Sequence, residues 1–183
     1  MNHQVSLEGP QTKNRILNTE LAENIRHLMP MRLQVSSKWE QAYSLEGNGA
    51  SLRTLYDQVR PKTKYQHGYV LLLRDSLGGV FGAYSNTPFK AETGGHFYGN
   101  ADSFLFKATG DRFEAFPYTG ENDFVIFSTP KFLSFGGGDG HYSLWMDDNL
   151  DKGVSYRTPT FGNEVLSAEG SKFHIVAVEV WRV

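Results

Sequence analysis

The 183-residue chain carries 18 Lys and Arg against 20 Asp and Glu, a formal charge of −2, with 39% hydrophobic residues, 14% aromatic residues and no cysteine. That length suits one domain with a sizeable core, and so balanced a charge argues against nucleic acid or an anionic membrane as the main partner. Without cysteine, thiol peroxidases, disulfide reductases, thiolate zinc sites and cysteine hydrolases are excluded. No apolar stretch approaches the ~20 residues of a spanning helix, so no membrane insertion is expected. The first 30 residues are polar and mixed in charge, and Glu8, Glu20 and Glu23 interrupt a basic targeting presequence. A soluble, cytoplasmic protein is expected.

Residues 1–11 are expected to form a flexible tail, and residues 12–183 a single domain with N-terminal helices. A helix starts at Thr19 as N-cap, carries Leu21, Ile25 and Leu28 on one stripe, and ends at Pro30. A second short helix is predicted from Ser36 or Ser37, with Trp39 and Tyr43 at i, i+4 spacing. Ser51 caps a third, bearing Leu52, Leu55, Tyr56 and Val59, closed by Pro61.

Beyond Pro61 the period shifts from helical toward alternating. Segments 69–74 and 80–84 flank a turn at 75–79, and 103–109 and 112–116 flank Gly110-Asp111, giving two predicted hairpins. Strands follow at 123–128, 132–135, 142–146 and 154–156. The run 173–183 is nearly continuous in Ile175, Val176, Ala177, Val178 and Val180, the mark of a strand covered on both faces. Helices first and many short strands after predict an α+β domain built on an antiparallel two-sheet β-sandwich with peripheral helices.

The candidate site is the glycine run Gly136, Gly137, Gly138, Asp139, Gly140, His141. Dense glycine between apolar strands implies positive φ angles or a close approach of other atoms. The run lacks the Gly-Lys-Ser/Thr ending and following helix of a phosphate loop. Asp147, Asn149 and Asp151 match the first calcium-loop positions, but Lys152 stands where glycine belongs and Thr158 where the bidentate glutamate belongs, so a polar hairpin tip is expected. His141 and Ser143, two apart on a strand, lie about 7 Å apart at Cβ, too far for a nucleophile–base pair. His141 is expected to be structural, hydrogen-bonded to backbone. Phe161-Gly162-Asn163-Glu164 reads equally as a functional element or as a turn.

An ordered set of segments carries a resemblance. Ser44-Leu45, Gly49-x-Ser51-Leu52-x-Thr54-Leu55-Tyr56, Arg74-Asp75-Ser76, Val80-Phe81-Gly82-Ala83, Phe97-Tyr98-Gly99 and Ser103-Phe104 come first. Tyr118-Thr119-Gly120-Glu121-Asn122, the glycine run, Leu144-Trp145-Met146-Asp147, Thr160-Phe161-Gly162-Asn163 and Val178-Glu179-Val180-Trp181 follow. Together they resemble the TLDc domain family, in the family's order, over residues 30–183. Thr12-Lys13-Asn14, Gly138-Asp139-Gly140-His141-Tyr142 and the ending 175–183 look like the family's yeast-type oxidation-resistance branch.

The resemblance implies a two-sheet sandwich without an accepted catalytic centre. It also implies a non-catalytic regulator that binds the vacuolar proton-pumping ATPase, promotes release of its peripheral sector, and serves oxidative-stress resistance. The partner-binding surface is then expected at Gly136–His141, with Gly82, Gly99, Gly162, Asn163 and Glu164 as supports. No cofactor or metal is expected, and the free protein is expected to be a monomer, cytoplasmic and recruited to the vacuolar ATPase, with room for a mitochondrial pool. The alternatives are a general stress-protective interaction scaffold, or a non-thiol antioxidant enzyme, which would need a redox residue or metal that the sequence does not show.

Overall fold

The computed structural model describes residues 3–92 and 94–183. Strand β1 (Ser6–Glu8) precedes helices α1 (Thr19–Arg26) and α2 (Met31–Gln34); strand β2 (Lys38–Ser44) leads into helices α3 (Leu45–Asn48) and α4 (Leu52–Gln58). Nine more strands follow: β3 (Tyr69–Asp75), β4 (Val80–Ser85), β5 (Phe104–Thr109), β6 (Arg112–Pro117), β7 (Ile126–Thr129), β8 (Phe132–Phe135), β9 (Leu144–Asp147), β10 (Lys152–Val154) and β11 (Lys172–Arg182). Both predicted hairpins form, as β3–β4 and β5–β6.

The expected α+β class holds: the domain is mostly antiparallel sheet with a few short helices. The strands are nevertheless joined in one eleven-stranded sheet, ordered β6-β5-β4-β3-β11-β10-β9-β8-β7 with β2 also on β11, which corrects the expectation of two separate sheets. Strand β11 makes the join. Its residues Lys172, Phe173 and His174 pair with β10, and from Ile175 onward it pairs with β3. A register shift between Ile175 and Ala177 lies where the partner changes, and such a bulge bends a strand and increases its twist. The sheet therefore has a first limb, β2 to β6 with β11, and a second limb, β7 to β10.

Alternation along β3 explains two apolar clusters. Leu71 and Leu73 enter one with Phe81 and Leu105 of the first limb, and Ile126, Leu133, Phe135, Leu144 and Met146 of the second. Helix α4 closes that cluster with Leu52, Leu55 and Tyr56, as its spacing predicts, and Ser51 caps it through the Thr54 amide (3.2 Å). Val70 and Leu72 point the other way, into a second cluster with Trp39, Tyr84, Phe106 and Trp181, covered by Leu21, Ile25 and Leu33. From Ala177 to Arg182 strand β11 is buried on both faces, with Val178 and Val180 in the first cluster and Ala177 and Trp181 in the second, whereas Val176, expected in the covered run, is exposed.

Three N-terminal expectations change. The cap of α1 is Asn18, whose side chain accepts from the Leu21 amide at 2.8 Å, one residue before Thr19. Residues 38–44 form a strand, not a helix. The i, i+4 spacing of Trp39 and Tyr43 suits either period, and a register shift against Val180 and Trp181 sends the two rings into different clusters. Residues 1 and 2 of the expected tail lie outside the described residues, but Ser6–Glu8 pair in parallel with β2, and Val5 is buried. This strap is pinned by carboxylates. Glu23 accepts from the Val5 amide at 2.9 Å, Arg26 donates to the His3 carbonyl at 2.7 Å, and Glu179 accepts from the amides of Ile16 and Leu17 and from Trp181 Nε1.

Candidate functional site

The glycine run connects β8 to β9. A backbone bond from the Ser143 amide to the Phe135 carbonyl (2.9 Å) closes its base, and the Gly136 amide donates to Val125 at 2.9 Å. The chain reverses through left-handed backbone at Gly136, Gly138, Asp139 and Gly140, with φ of 77°, 107°, 55° and 76°. At Gly136 the requirement is double, because a Cβ would also run into Ser143 and come within 2.8 Å of Thr158 Oγ1. The run splits by exposure: Gly136 and Gly137 are buried, Gly138 half-buried, and Asp139, Gly140 and His141 exposed.

Polar side chains brace it from below, buried except for the half-buried Asn122. Thr160 Oγ1 accepts from the Gly137 amide (3.0 Å) and donates to Asn122 Oδ1 (2.7 Å), while Asn122 Nδ2 donates to the Gly137 carbonyl (3.3 Å). Asn163 uses its whole amide. Its Nδ2 donates to the carbonyls of Tyr156 (2.9 Å) and Glu164 (2.8 Å), and its Oδ1 accepts from Ser143 Oγ (2.9 Å) and the Thr158 amide (3.3 Å). Thr158 Oγ1 and Ser143 Oγ complete the set at 2.6 Å. Every polar atom satisfied in a low-dielectric interior makes such a network rigid. Ser143 is thereby committed to structure. His141 departs from its expected backbone bond: its ring stacks on Tyr156, with centroids 4.3 Å apart.

The structure brings Asn163 and Gly162 to the glycine run and places the other supports elsewhere. Gly82 is buried inside β4, opposite Leu72 and Phe106, where a Cβ would meet the Leu71 carbonyl and lie 2.9 Å from Phe106 Cζ. Its absent side chain serves sheet packing, as a strand glycine does where backbone or rings approach closely. Gly99 packs over Val125 and Ile126. Glu164 is exposed and pairs with Lys107 at 2.7 Å; the Lys107 ammonium, hydrogen-bonded to it, holds its carboxyl below the usual glutamate range. The Asp147 carboxylate caps a turn by accepting from the amides of Asp151 (2.8 Å) and Lys152 (3.2 Å), which is the expected hairpin tip.

Beside the exposed tip lies a groove of about 440 Å³ lined by Thr119, Glu121, Asp139, Arg157, Thr158, Pro159 and Gly162. Next to Gly137, where Phe124 would lie 3.1 Å from an added Cβ, an aromatic ladder begins and crosses the outer face of β7, β8 and β9. Phe124 and Phe97 have ring centroids 4.7 Å apart, Phe97 and Phe127 4.9 Å, Phe127 and Phe132 5.7 Å, and Phe132 and Trp145 5.9 Å. Phe97 and Phe124 are 38% and 39% exposed, a large apolar exposure for phenylalanine at adjacent positions. Sequence reasoning missed Asn122, Thr158 and Thr160 as the bracing set, and Phe97 and Phe124 as its neighbours. The available signal was the polar cluster Thr158-Pro159-Thr160 just ahead of Asn163, whose two threonines are buried.

Among the described residues no group of three His, Asp or Glu side chains is arranged to hold a metal ion, and no helix is long and apolar enough to cross a membrane. The TLDc domain family matches residues 10–183. The chain is 51% identical to Oxidation resistance protein 1 of Eremothecium gossypii, across 94% of this chain and 75% of that protein. It is 47% identical to the protein of the same name from Kluyveromyces lactis, across 94% and 77%. With that of Saccharomyces cerevisiae the identity is 45%, across 98% and 77%. A family match over nearly the whole length, with relatives this similar, means that the chain belongs to the TLDc domain family.

Proposed function

We propose that this protein is a non-catalytic regulator that binds the peripheral sector of the vacuolar proton-pumping ATPase, promotes its release, and supports oxidative-stress resistance in that way. The observation that carries the reading is the tip at Asp139, Gly140 and His141, exposed yet held on a buried hydrogen-bond network beside exposed Phe97 and Phe124. A preordered loop loses little entropy on docking, and exposed aromatic rings are the side chains that anchor protein interfaces. Family membership and relatives named for oxidation resistance support the physiological side. A regulator needs no redox group, in keeping with a chain that contains no cysteine. It acts from the cytoplasm, as a monomer when free.

Such a protein shifts assembly only by binding the separated sector better than the assembled enzyme. Incubation with purified, assembled vacuolar ATPase, followed by sizing and by coupled ATP-hydrolysis and proton-pumping assays, tests this. The expected result is release of the peripheral sector with this chain co-migrating. An intact, active complex without bound chain would overturn the reading. Peroxide consumption by the metal-free protein, above an albumin control, would replace it with the enzyme reading.

A further inference from the structure

A second site lies apart from the glycine run, between helix α4 and the segment around Lys90. An open pocket of about 730 Å³ is lined by Arg53, Tyr56, Asp57, Arg60, Lys90, Ala91 and Pro130. Three of these are cations and one is an acid. Asp57 pairs with Arg60 at 3.1 Å, and among the described residues no carboxylate pairs with Arg53 or Lys90. Glu92 accepts from the Gly94 amide (3.1 Å). A chain of net charge −2 thus gathers, around one concavity, two positive charges that have no ion-pair partner among the described residues.

The cation on the far wall is held in place. The Lys90 ammonium lies over the Tyr98 ring, 5.3 Å from its centroid. Its backbone amide donates to Tyr98 Oη (3.1 Å), its carbonyl accepts from Ser128 Oγ, and Tyr98 Oη and Ser128 Oγ are 2.6 Å apart. On the near wall, Tyr56 Oη donates its hydrogen between the carbonyls of Thr129 (2.9 Å) and Phe132 (3.0 Å). Burial raises its pKa, so the Tyr56 hydroxyl stays neutral. Arg53 stands on the first turn of α4 and Arg60 just beyond its last residue, roughly 10 Å apart along the axis at a helix's rise. A run of linked phosphate groups can place negative charge at both ends of that separation. From this arrangement we infer that the α4–Lys90 pocket is an anion site for a ligand carrying two or more linked phosphate groups, with Arg53 and Lys90 as its principal contacts and Arg60 at the rim. Guanidinium groups suit phosphate oxygens because their donors form a planar fork, and the lysine adds a point charge.

Isothermal titration of tripolyphosphate into the full chain at low ionic strength tests the inference. One saturable site is expected, weakened about tenfold or more by Arg53→Glu with Lys90→Glu, and unchanged by Lys13→Glu on the strap. Both pocket side chains are exposed, and a urea midpoint matching the unsubstituted chain verifies that the double variant remains folded. ATP binding as tightly as tripolyphosphate would support recognition of the phosphate chain itself, since nothing in the inference asks the pocket to read a base. Absence of a saturable site would overturn the inference. So would equal affinity in the double variant, which would mean an adventitious ion only, or tighter binding of poly-glutamate than of tripolyphosphate, which would point to an acidic protein segment. None of these results bears on the ATPase reading, which concerns a different surface.

Discussion

The two limbs of the sheet treat their outer faces in opposite ways. On the first limb, the outward side chains of β3, β4 and β11, among them Val70, Leu72, Tyr84 and Trp181, are buried under the N-terminal strap and helix α1. On the second limb, the outward rings of Phe127, Phe132 and Trp145 are only half covered, by one another, and Phe97 and Phe124 remain exposed at the end of the row. The same residue chemistry is thus spent on the core in one place and offered to solvent in another. Covered aromatics stabilise the fold; uncovered ones are available to a partner.

This contrast predicts where substitution should hurt. Trp181→Ala removes a fully buried ring and strips the Glu179 carboxylate of its indole donor. Loss of about 3–5 kcal/mol is expected for a large-to-small change of this kind, read as a fall in the urea midpoint. A loss below about 1 kcal/mol would mean that the strap does not depend on this face.

Asn163→Ala comes next. It leaves the Thr158 amide and the carbonyls of Tyr156 and Glu164 without their partner, and takes from Ser143 Oγ its amide acceptor, Thr158 Oγ1 being the bond that Ser143 keeps. An unpaired buried polar group costs about 1–3 kcal/mol, so a loss of at least about 2 kcal/mol is expected, with faster amide exchange at Gly137 and Ser143. Unchanged exchange would show that the network does not brace the loop.

Phe97→Ser with Phe124→Ser should behave in the opposite way. Both rings are more than one-third exposed, so stability should shift by about 1 kcal/mol or less per site. Release of the ATPase peripheral sector should nevertheless fall sharply. Undiminished release by the double variant would remove the ladder from the interface and leave the tip at Asp139, Gly140 and His141 to carry it.

Legibility in the sequence followed the same divide. The strands at 132–135 and 173–183 and helix α4 were readable because local period and tertiary burial agree there. Strand β2 was misread because Trp39 and Tyr43 fit both periods and only a bulge against β11 distinguishes them. The glycine run was visible as a special backbone, since few other reasons exist for such a sequence. Its bracing was not, because Asn122 and Asn163 reach it across 15 and 20 or more residues of chain. The division into limbs also stayed hidden: one strand long enough to serve two partners looks, in sequence, like one strand serving either.

The joint between the limbs supplies the smallest predicted effect and ties it to pH. Glu169 sits between the β3–β4 turn and β11. Burial opposes its charge, but donors from the His174 amide (3.0 Å) and ring (3.1 Å) and from the Ser76 amide (3.0 Å) outweigh that, holding its carboxyl at about 2. A carboxyl lower in the folded chain than its ordinary value of 4.5 contributes stability that is fully present above that value. The contribution disappears as pH falls from about 4.5 toward about 2, because the unfolded chain then binds the proton more readily. Glu169→Gln should therefore lower the urea midpoint near neutral pH, and should flatten the decline of stability across that acidic window. Parallel curves for the two proteins between those pH values would show that the charge of Glu169 does not tie the β3–β4 turn to β11, and would leave the neighbouring carboxylate of Asp75, bonded to Ser167 Oγ (2.6 Å) and the Ala168 amide (2.8 Å), as the anchor of the joint.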